Sequence, residues 1–144
     1  MLPCKSTLQR YMGPMKMDVG FIPLIRHRLV EQILEMKPIE TYTSLIFDEM
    51  AIKPMSIYLR QHRRVFGSVN YGNYRKYLRE RPGVIANRLL CFVLKGIFTN
   101  YTIPVSYFFV RQLKAEDLVV MIRNILKELE AIGFRVTRLV GDDL

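Results

Sequence analysis

The segment from residue 115 to residue 144 places a long amphipathic helix pattern directly before a strand pattern, and this order constrains the fold most. In "AEDLVVMIRNILKELEAIG" the apolar residues recur at helical spacing and form one stripe, made of Leu118, Met121, Ile122, Ile125, Leu126, Leu129 and Ile132. Gly133 is placed to close the helix. The next segment, "FRVTRLVGDDL", alternates and then becomes apolar, which predicts a strand that ends in Asp142 and Asp143.

Strand patterns also precede this helix. The segments "YTSLIFDEMAI", "RVFGSVNYG" and "RLLCFVLKGIF" are rich in residues that favour strands, and Asn70 and Gly72 are turn residues that close the second. The segment "PVSYFFV" is either a fourth strand or a continuation of the third after a bulge. Because the links between these pieces are short and rich in turn residues, they predict an antiparallel meander.

The order of strands, one helix and a last strand predicts an α/β (α+β) fold with a mixed sheet. A helical crossover permits parallel pairing of the last strand with an earlier one, and such crossovers are right-handed. We expect the strand around Arg135 to Val140 to lie parallel to the "SLIFDEM" strand. If so, Asp48 comes close to the pair Asp142 and Asp143, which lies far away in sequence.

A helical lead-in precedes the first strand. "STLQRYMG" carries helix start and stop signals, and the apolar residues between Leu24 and Met36 form one face of an amphipathic helix that Pro38 ends. We therefore expect residues 1–42 to form a helical lead-in and residues 43–144 to form the main domain.

Length, charge and cysteine content limit the class of protein. A chain of 144 residues suits about one domain with a sizeable core, and its net charge of +9 favours a polyanionic partner, either nucleic acid or an anionic membrane surface. The two cysteines form no CxxC pair, which indicates a reducing compartment, cytosol or nucleus. The sequence lacks a signal-peptide pattern and an apolar run long enough for a membrane span, which predicts a soluble chain.

The positive charge is concentrated in the middle of the chain. Between Glu49 and Glu116 there are twelve Lys and Arg residues against a single acid, with tyrosines interleaved among them. Basic side chains bind phosphates and aromatic rings stack on bases, so this stretch predicts salt-dependent nucleic-acid binding. The candidate residues are Arg60, Arg63, Arg64, Arg75, Lys76 and Arg79. The alternative is an ordinary solvated surface.

The acid Asp48 stands in an otherwise apolar strand pattern, where a carboxylate needs compensation. If Asp48 and the pair Asp142 and Asp143 lie on neighbouring strands, a cation between them would offset their repulsion. Oxygen ligands of this kind suit Mg²⁺ or Mn²⁺, which can activate a water or hydroxyl and stabilise the leaving oxygen of a phosphodiester. The alternative is that Asp48 caps a turn or pairs with an arginine. Other chemistry has little support, since there is no zinc-ligand spacing and no Gly-rich phosphate loop.

Several motifs in order resemble the P-element-type DNA transposases, a group that includes the THAP-domain transposases. "LPCKSTLQRYM" resembles the family's lead-in, and "LIFDEMAIK" is similar to its "FDEM-x-IK" strand, which is the most specific piece. "VFGSVNYG" resembles "GFVDYG", with Asn70 where an acid is common. "ANRLLCFVLKGIFTNYTIPVSYFFV" and "LEAIGFRVTRLVGDDL" are similar to the segments that follow, with Tyr101 where the family often has Trp. The resemblance covers nearly the whole chain.

This resemblance implies a ribonuclease-H-like fold with a catalytic Asp-Asp-Glu triad that binds Mg²⁺ or Mn²⁺ and acts on DNA in the nucleus. Asp48 matches the first Asp, and Asp142 matches the second. Asp143 stands where the family usually has another residue, so it is a further candidate metal ligand. Glu49 belongs to the motif but not to the triad, and the strand period directs it to the opposite face.

The third acid of the family lies farther downstream than Leu144, as do its later strands and helices. We therefore expect residues 43–144 to be the N-terminal part of a truncated ribonuclease-H-like transposase domain that does not cleave DNA by itself. The first alternative is a decayed or domesticated remnant that binds nucleic acid or a protein without catalysis. The second is an unrelated small basic nucleic-acid-binding module. Self-association is left open, and no membrane partner is expected.

Overall fold

The computed structural model describes residues 19–54, 57–59, 64–66, 68–74 and 84–141. Two α-helices, two short 3₁₀ helices and six strands follow one another in this part of the chain. In order they are α1 (Pro23–Glu35), a 3₁₀ helix (Pro38–Thr41), β1 (Tyr42–Ala51), β2 (Ile57–Leu59), β3 (Arg64–Phe66), a 3₁₀ helix (Gly72–Tyr74), β4 (Arg88–Gly96), β5 (Thr102–Val110), α2 (Ala115–Ile132) and β6 (Arg135–Gly141).

Four of the strands form one mixed sheet in the order β5-β4-β1-β6. Strands β1, β4 and β5 are antiparallel neighbours, and β6 lies parallel to β1 after the crossover through α2. The mixed sheet and the parallel pairing of the last strand with the "SLIFDEM" strand confirm the sequence prediction. The segment "PVSYFFV" lies in the separate strand β5, so the alternative of a continued third strand is wrong.

The segment "RVFGSVNYG" does not form the sheet neighbour that its pattern predicts. Within it, β3 pairs with β2 in a separate two-stranded sheet, while Ser68 and Asn70 each make only an isolated bridge. The predicted turn at its end is present, because the Gly72 N–H donates a 2.8 Å hydrogen bond to Asn70 Oδ1. Gly72 has a φ of 57°, which suits glycine. The link between β1 and β4 is therefore an excursion from the main sheet.

Helix α1 matches the second predicted segment of the lead-in, from Leu24 to Met36, in its position and its end, whereas the first, "STLQRYMG", lies outside the described residues. Pro23 begins it, where the missing N–H costs nothing, and Met36 caps it two residues before Pro38. It buries Ile25 and Leu29 in the same apolar core as the sheet, whereas the side chain of Leu34 is 80% exposed. The apolar face predicted from the sequence is therefore wider than the part of α1 that packs against the core.

Helix α2 and the turn after it position β6. The helix buries its apolar stripe, and its bounds are those expected from the sequence, Ala115–Ile132. Gly133 ends it with a φ of 126°, and the N–H groups of Gly133 and Phe134 both donate to the Leu129 carbonyl. This tight closure reverses the chain at once, so that Arg135 pairs with Tyr42 at the start of β1.

The two faces of the main sheet differ in burial. Leu45 and Phe47 of β1 lie opposite Leu94 and Phe92 of β4, and all four are buried in the cluster that includes the apolar stripe of α2. The alternate residues project from the other face because side chains alternate along a strand. On that face Asp48 is exposed and its neighbour Cys91 is only half-buried. We call this surface the open face of the sheet.

Candidate functional site

Asp48 is the seventh of the ten residues of β1 and is exposed on the open face. Its Cα partner across the ladder is Cys91, and β1 is flanked by β4 and β6. Asp48 makes no hydrogen bond or ion pair that involves any described residue. It lies in the middle of a strand, so it does not cap a turn, and the structure gives it no arginine partner among the described residues. The carboxylate is therefore available to a ligand from solvent.

Glu49, the next residue, has a different environment. It projects from the covered face, as the strand period predicts, and its side chain is 29% exposed. Glu49 Oε2 lies 3.7 Å from Arg88 Nη1, which forms an ion pair. Of the two adjacent acids in the "FDEM" motif, one is balanced by a cation of the protein and the other is not. This contrast distinguishes Asp48 as the candidate functional acid.

Gly141 ends β6 directly beside this acid. It is the Cα partner of Phe47, which precedes Asp48. A Cβ atom at position 141 would lie 2.6 Å from Cε2 and 2.8 Å from Cε1 of the Phe47 ring. The ring therefore occupies the space that any larger residue would need. The sequence reasoning did not select Gly141, although a glycine inside a strand pattern is a known sign of such a close approach.

Cys91 has an environment consistent with an unreactive thiol. Burial raises the pKa of its thiol, and the neighbouring carboxylate of Asp48 raises it further. The thiol therefore stays protonated at neutral pH, and the thiolate is the reactive form of cysteine. The position of Cys91 in an apolar strand pattern predicts a buried, unreactive thiol, and in the structure the residue is only half-buried.

The remaining predicted site residues lie outside the described residues, apart from the backbone of Arg64. Asp142 and Asp143 come directly after Gly141 and are not among the described residues. Five of the basic candidates are also outside the described residues, namely Arg60, Arg63, Arg75, Lys76 and Arg79. Arg64 begins β3, but its side chain is not described. Their roles as metal ligands and as nucleic-acid contacts stay predictions.

The donor atoms of Asp48 suit a hard divalent cation. In the described part of the chain no three side chains of the types His, Cys, Asp and Glu converge, so Asp48 is a single ligand there. Asp48 is exposed, and no described cation pairs with its carboxylate. Carboxylate oxygen is the ligand that Mg²⁺ and Mn²⁺ prefer. The site fits such an ion if a second carboxylate lies on the neighbouring strand β6.

Neither of the two described α-helices combines the length and the hydropathy that a bilayer-crossing segment requires.

Comparisons with known proteins agree with the fold. A family model described as "TNP-like, RNase H N-terminal domain" matches residues 17–144. In the solved "Drosophila P element transposase strand transfer complex", one chain superposes with a TM-score of 0.65 at 17% sequence identity. The match covers 98% of this chain and 27% of that chain, so this chain spans about a quarter of the other's length. No curated protein matches the sequence.

The fold is thus ribonuclease-H-like, as the resemblance implied, and it consists of the mixed sheet with α1 and α2 on one face. The family match spans the strand with Asp48, the crossover helix and the strand that ends at Gly141. The chain belongs to the family of TNP-like RNase H N-terminal domains.

Proposed function

We propose that this chain is part of a P-element-type DNA transposase, related to the THAP-domain transposases, whose complete form cleaves and joins DNA strands in the nucleus. Asp48 and Asp142 would hold Mg²⁺ or Mn²⁺, with Asp143 as the alternative second ligand. The family match and the fold of the solved P element transposase support this proposal. The surplus of positive charge is consistent with DNA as the partner.

The observation that carries the proposal is the pairing of Phe47 with Gly141. Asp48 follows one of these residues and Asp142 follows the other. Since consecutive Cα atoms are about 3.8 Å apart and paired strands about 4.8 Å apart, the Cα atoms of the two acids can be separated by at most about 12 Å. Two Asp side chains can share one cation at separations somewhat shorter than this upper limit, because Mg²⁺ lies about 2.1 Å from each carboxylate oxygen.

The placement of Asp48 suits a ligand that must be held still. Strand β1 pairs with β4 at Asp48 and with β6 as far as Phe47, the residue before Asp48, whose ring lies against Gly141. Sites built on central strands are more precise than sites on loops. A bound divalent ion would supply activation of a water or hydroxyl and stabilisation of the leaving oxygen. The role of Asp48 itself is to bind and orient that ion.

Replacing Asp48 with asparagine should weaken Mn²⁺ binding by at least about tenfold, since even outer partners of metal ligands are worth about 10–100-fold in affinity. Mn²⁺ affinity would be measured by calorimetry, and its position by the broadening of amide signals in NMR spectra. In the unmodified chain we expect the strongest broadening at Phe47, Asp48 and Gly141. The variant Asp142→Asn should abolish this Mn²⁺-induced broadening. If Asp143 is the ligand instead, Asp143→Asn should abolish it.

The variant Glu49→Gln is the matched control, because it removes an adjacent acid from the opposite face. We expect it to leave Mn²⁺ affinity unchanged. Equal losses in Asp48→Asn and Glu49→Gln would mean that Mn²⁺ is attracted to exposed carboxylates in general and not to a site at Asp48. No site-specific broadening near Asp48 would favour the alternative of a nucleic-acid-binding remnant without catalysis.

This chain by itself should not cleave DNA, because two carboxylates without the third give an incomplete metal cage. The assay is nicking of a labelled duplex in the presence of Mg²⁺ or Mn²⁺. We expect no cleavage above the level of an Asp48→Ala control. Specific cleavage that disappears in this control would show that the chain already holds the third ligand.

A further inference from the structure

The open face of the sheet carries three aligned rows of side chains across β6, β1 and β4. The first row consists of Arg138, Ser44 and Lys95, which are Cα partners in the two ladders. The second row consists of Val140, Ile46 and Val93, and the third contains Asp48 and Cys91. Residues that face each other across paired strands project from the same face of a sheet. The open face thus holds two cations at one end and the candidate catalytic acid farther along the same strand.

Lys95 and Arg138 are both exposed and lie on either side of Ser44, which is buried. No hydrogen bond or ion pair of either cation involves any other described residue. Arg135, by contrast, is already engaged, since its guanidinium lies 5.4 Å from the centre of the Tyr42 ring and donates to the Tyr42 hydroxyl. The two cations lie on either side of β1, about 10 Å apart at two strand spacings of about 4.8 Å, so they can contact separate phosphates of one polyanion.

The opposite side of the domain has the opposite charge. Helix α2 lies on the covered face and has four acids and two cations, namely Glu116, Asp117, Glu128, Glu130, Arg123 and Lys127. Strands β4 and β6 carry four cations and no acid, and three of these cations, Lys95, Arg135 and Arg138, lie on the open face, whereas Arg88 pairs with Glu49 on the covered face. A polyanion is therefore attracted to the open face and repelled from the helical side.

The spacing of the rows fits an extended polyanion. Ser44 and Asp48 are four residues apart on β1, which corresponds to about 13 Å at about 3.3 Å per residue. Measured along the helix axis of duplex DNA, this length corresponds to about four nucleotides of one strand, at about 3.4 Å per nucleotide. The row between them is apolar and contributes no charge. A backbone that contacts the cations can thus continue along the face to Asp48.

We propose that Lys95 and Arg138 bind the phosphate backbone of the DNA strand that is presented to Asp48, about 13 Å from this acid. The proposal rests on the proposed function, since it takes Asp48 as the site of the reaction. It adds a DNA contact on the main sheet, separate from the candidate residues between Arg60 and Arg79 that the sequence predicts. Arg138 and Lys95 are positioning residues, because they hold the strand and not the reacting phosphate.

The test is the salt dependence of DNA binding by the pair of substitutions Lys95→Gln and Arg138→Gln. Glutamine removes each charge but keeps a long side chain on the strand. Binding to a labelled duplex would be measured by fluorescence anisotropy between about 50 and 200 mM salt. Loss of two phosphate contacts should flatten the slope of log K against log salt concentration by about 1.8.

The matched control is the pair Arg123→Gln and Lys127→Gln on α2. It removes the same two charge types from exposed positions on the other side of the sheet. We expect the control to leave the slope unchanged. Equal flattening in both pairs would show that only net charge matters, and no flattening in the first pair would show that these cations do not bind DNA. Either result would overturn the proposal.

Two further measurements distinguish DNA from a membrane surface and the DNA contact from the metal site. Binding to vesicles that contain phosphatidylserine tests an anionic membrane surface as the partner. If binding to vesicles depends on Lys95 and Arg138 while binding to DNA does not, the proposal is also overturned. The variant Asp48→Asn should keep the DNA slope of the unmodified chain. If Mn²⁺ binding fails while the DNA slope still depends on Lys95 and Arg138, the catalytic proposal fails and the DNA contact stands. If Mn²⁺ binding depends on Asp48 while the DNA slope does not depend on Lys95 and Arg138, the metal site stands and the proposed DNA contact fails.

Discussion

Replacing Phe92 with alanine should lower the free energy of unfolding by about 3–5 kcal/mol, the usual loss for a buried aromatic residue. Phe92 lies in the middle of β4, and its side chain is fully buried. Its ring centre is 6.0 Å from that of Phe47 on β1 and 5.9 Å from that of Phe108 on β5. Edge and tilted ring contacts of this kind add to the free energy of burial. The truncation would therefore leave a cavity between three strands at once.

The loss would also reach the site, because Phe47 is the residue before Asp48 and packs against Phe92 on one side and Gly141 on the other. Phe108 in turn stacks on Tyr74, with ring centres 5.7 Å apart, so the same aromatic group connects the excursion between β1 and β4 to the core. We expect the variant to lose cooperative unfolding or to shift its midpoint strongly in urea, as followed by circular dichroism.

Val93→Ala is the control for this prediction. Val93 is the next residue of β4, projects from the open face and is only half-buried. Its truncation should cost about 1 kcal/mol, since fewer methyl groups leave a partly solvated position. Similar losses for Phe92→Ala and Val93→Ala would mean that the open face is as well packed as the covered one. That result would contradict the assignment of the two faces.

The parts of the fold that were predictable from the sequence are those with a long regular pattern. Helix α2 has its apolar stripe on one side and Gly133 at its end, so both its type and its bounds were accessible. The parallel pairing of β6 with β1 followed from the order of elements, because a helical crossover leaves few choices for the last strand. The mixed sheet was therefore a consequence of chain order and crossover geometry.

The excursion between β1 and β4 could not be predicted in the same way. A segment such as "RVFGSVNYG" has the residue preferences of a strand, but a local pattern does not specify a partner. In the structure β3 pairs with β2, while Asn70 bridges to Phe109 of β5. The apolar run in β1 likewise has hydrophobic residues on both sides, so the sequence did not show which face α2 covers.

For the candidate site, the motif in β1 identified Asp48, and the strand period separated it from Glu49. The ion pair between Glu49 and Arg88 was not predictable, because it depends on the register between β1 and β4. The pair Lys95 and Arg138 was missed for the same reason. These residues are far apart in sequence and lie in one row only because Ser44, between them, pairs with both.

Replacing Gly141 with alanine should destabilise the chain by about 1–3 kcal/mol, the usual range for overpacking, because the exposed Gly141 lies against the buried ring of Phe47. The added methyl group would lie within 2.8 Å of Cε1 in the Phe47 ring, well inside ordinary contact distance. The ring cannot move away freely, because Phe47 is 7% exposed and packs against Phe92. The strain would be relieved by a shift of the end of β6 away from β1. Urea unfolding measures the loss of stability.

A double-mutant cycle with Phe47→Leu identifies the cause of this loss. Leucine lacks the ring atoms that would meet the new methyl group, so Gly141→Ala should cost less than about 0.5 kcal/mol in the Phe47→Leu background. Equal costs in the two backgrounds would mean that the glycine is needed for its backbone and not for the ring. If Asp48 and Asp142 share a cation, Gly141→Ala should also weaken Mn²⁺ binding, because it separates the strands just before both acids. Phe47→Leu should then restore the affinity, since it lets β6 return to its place beside β1.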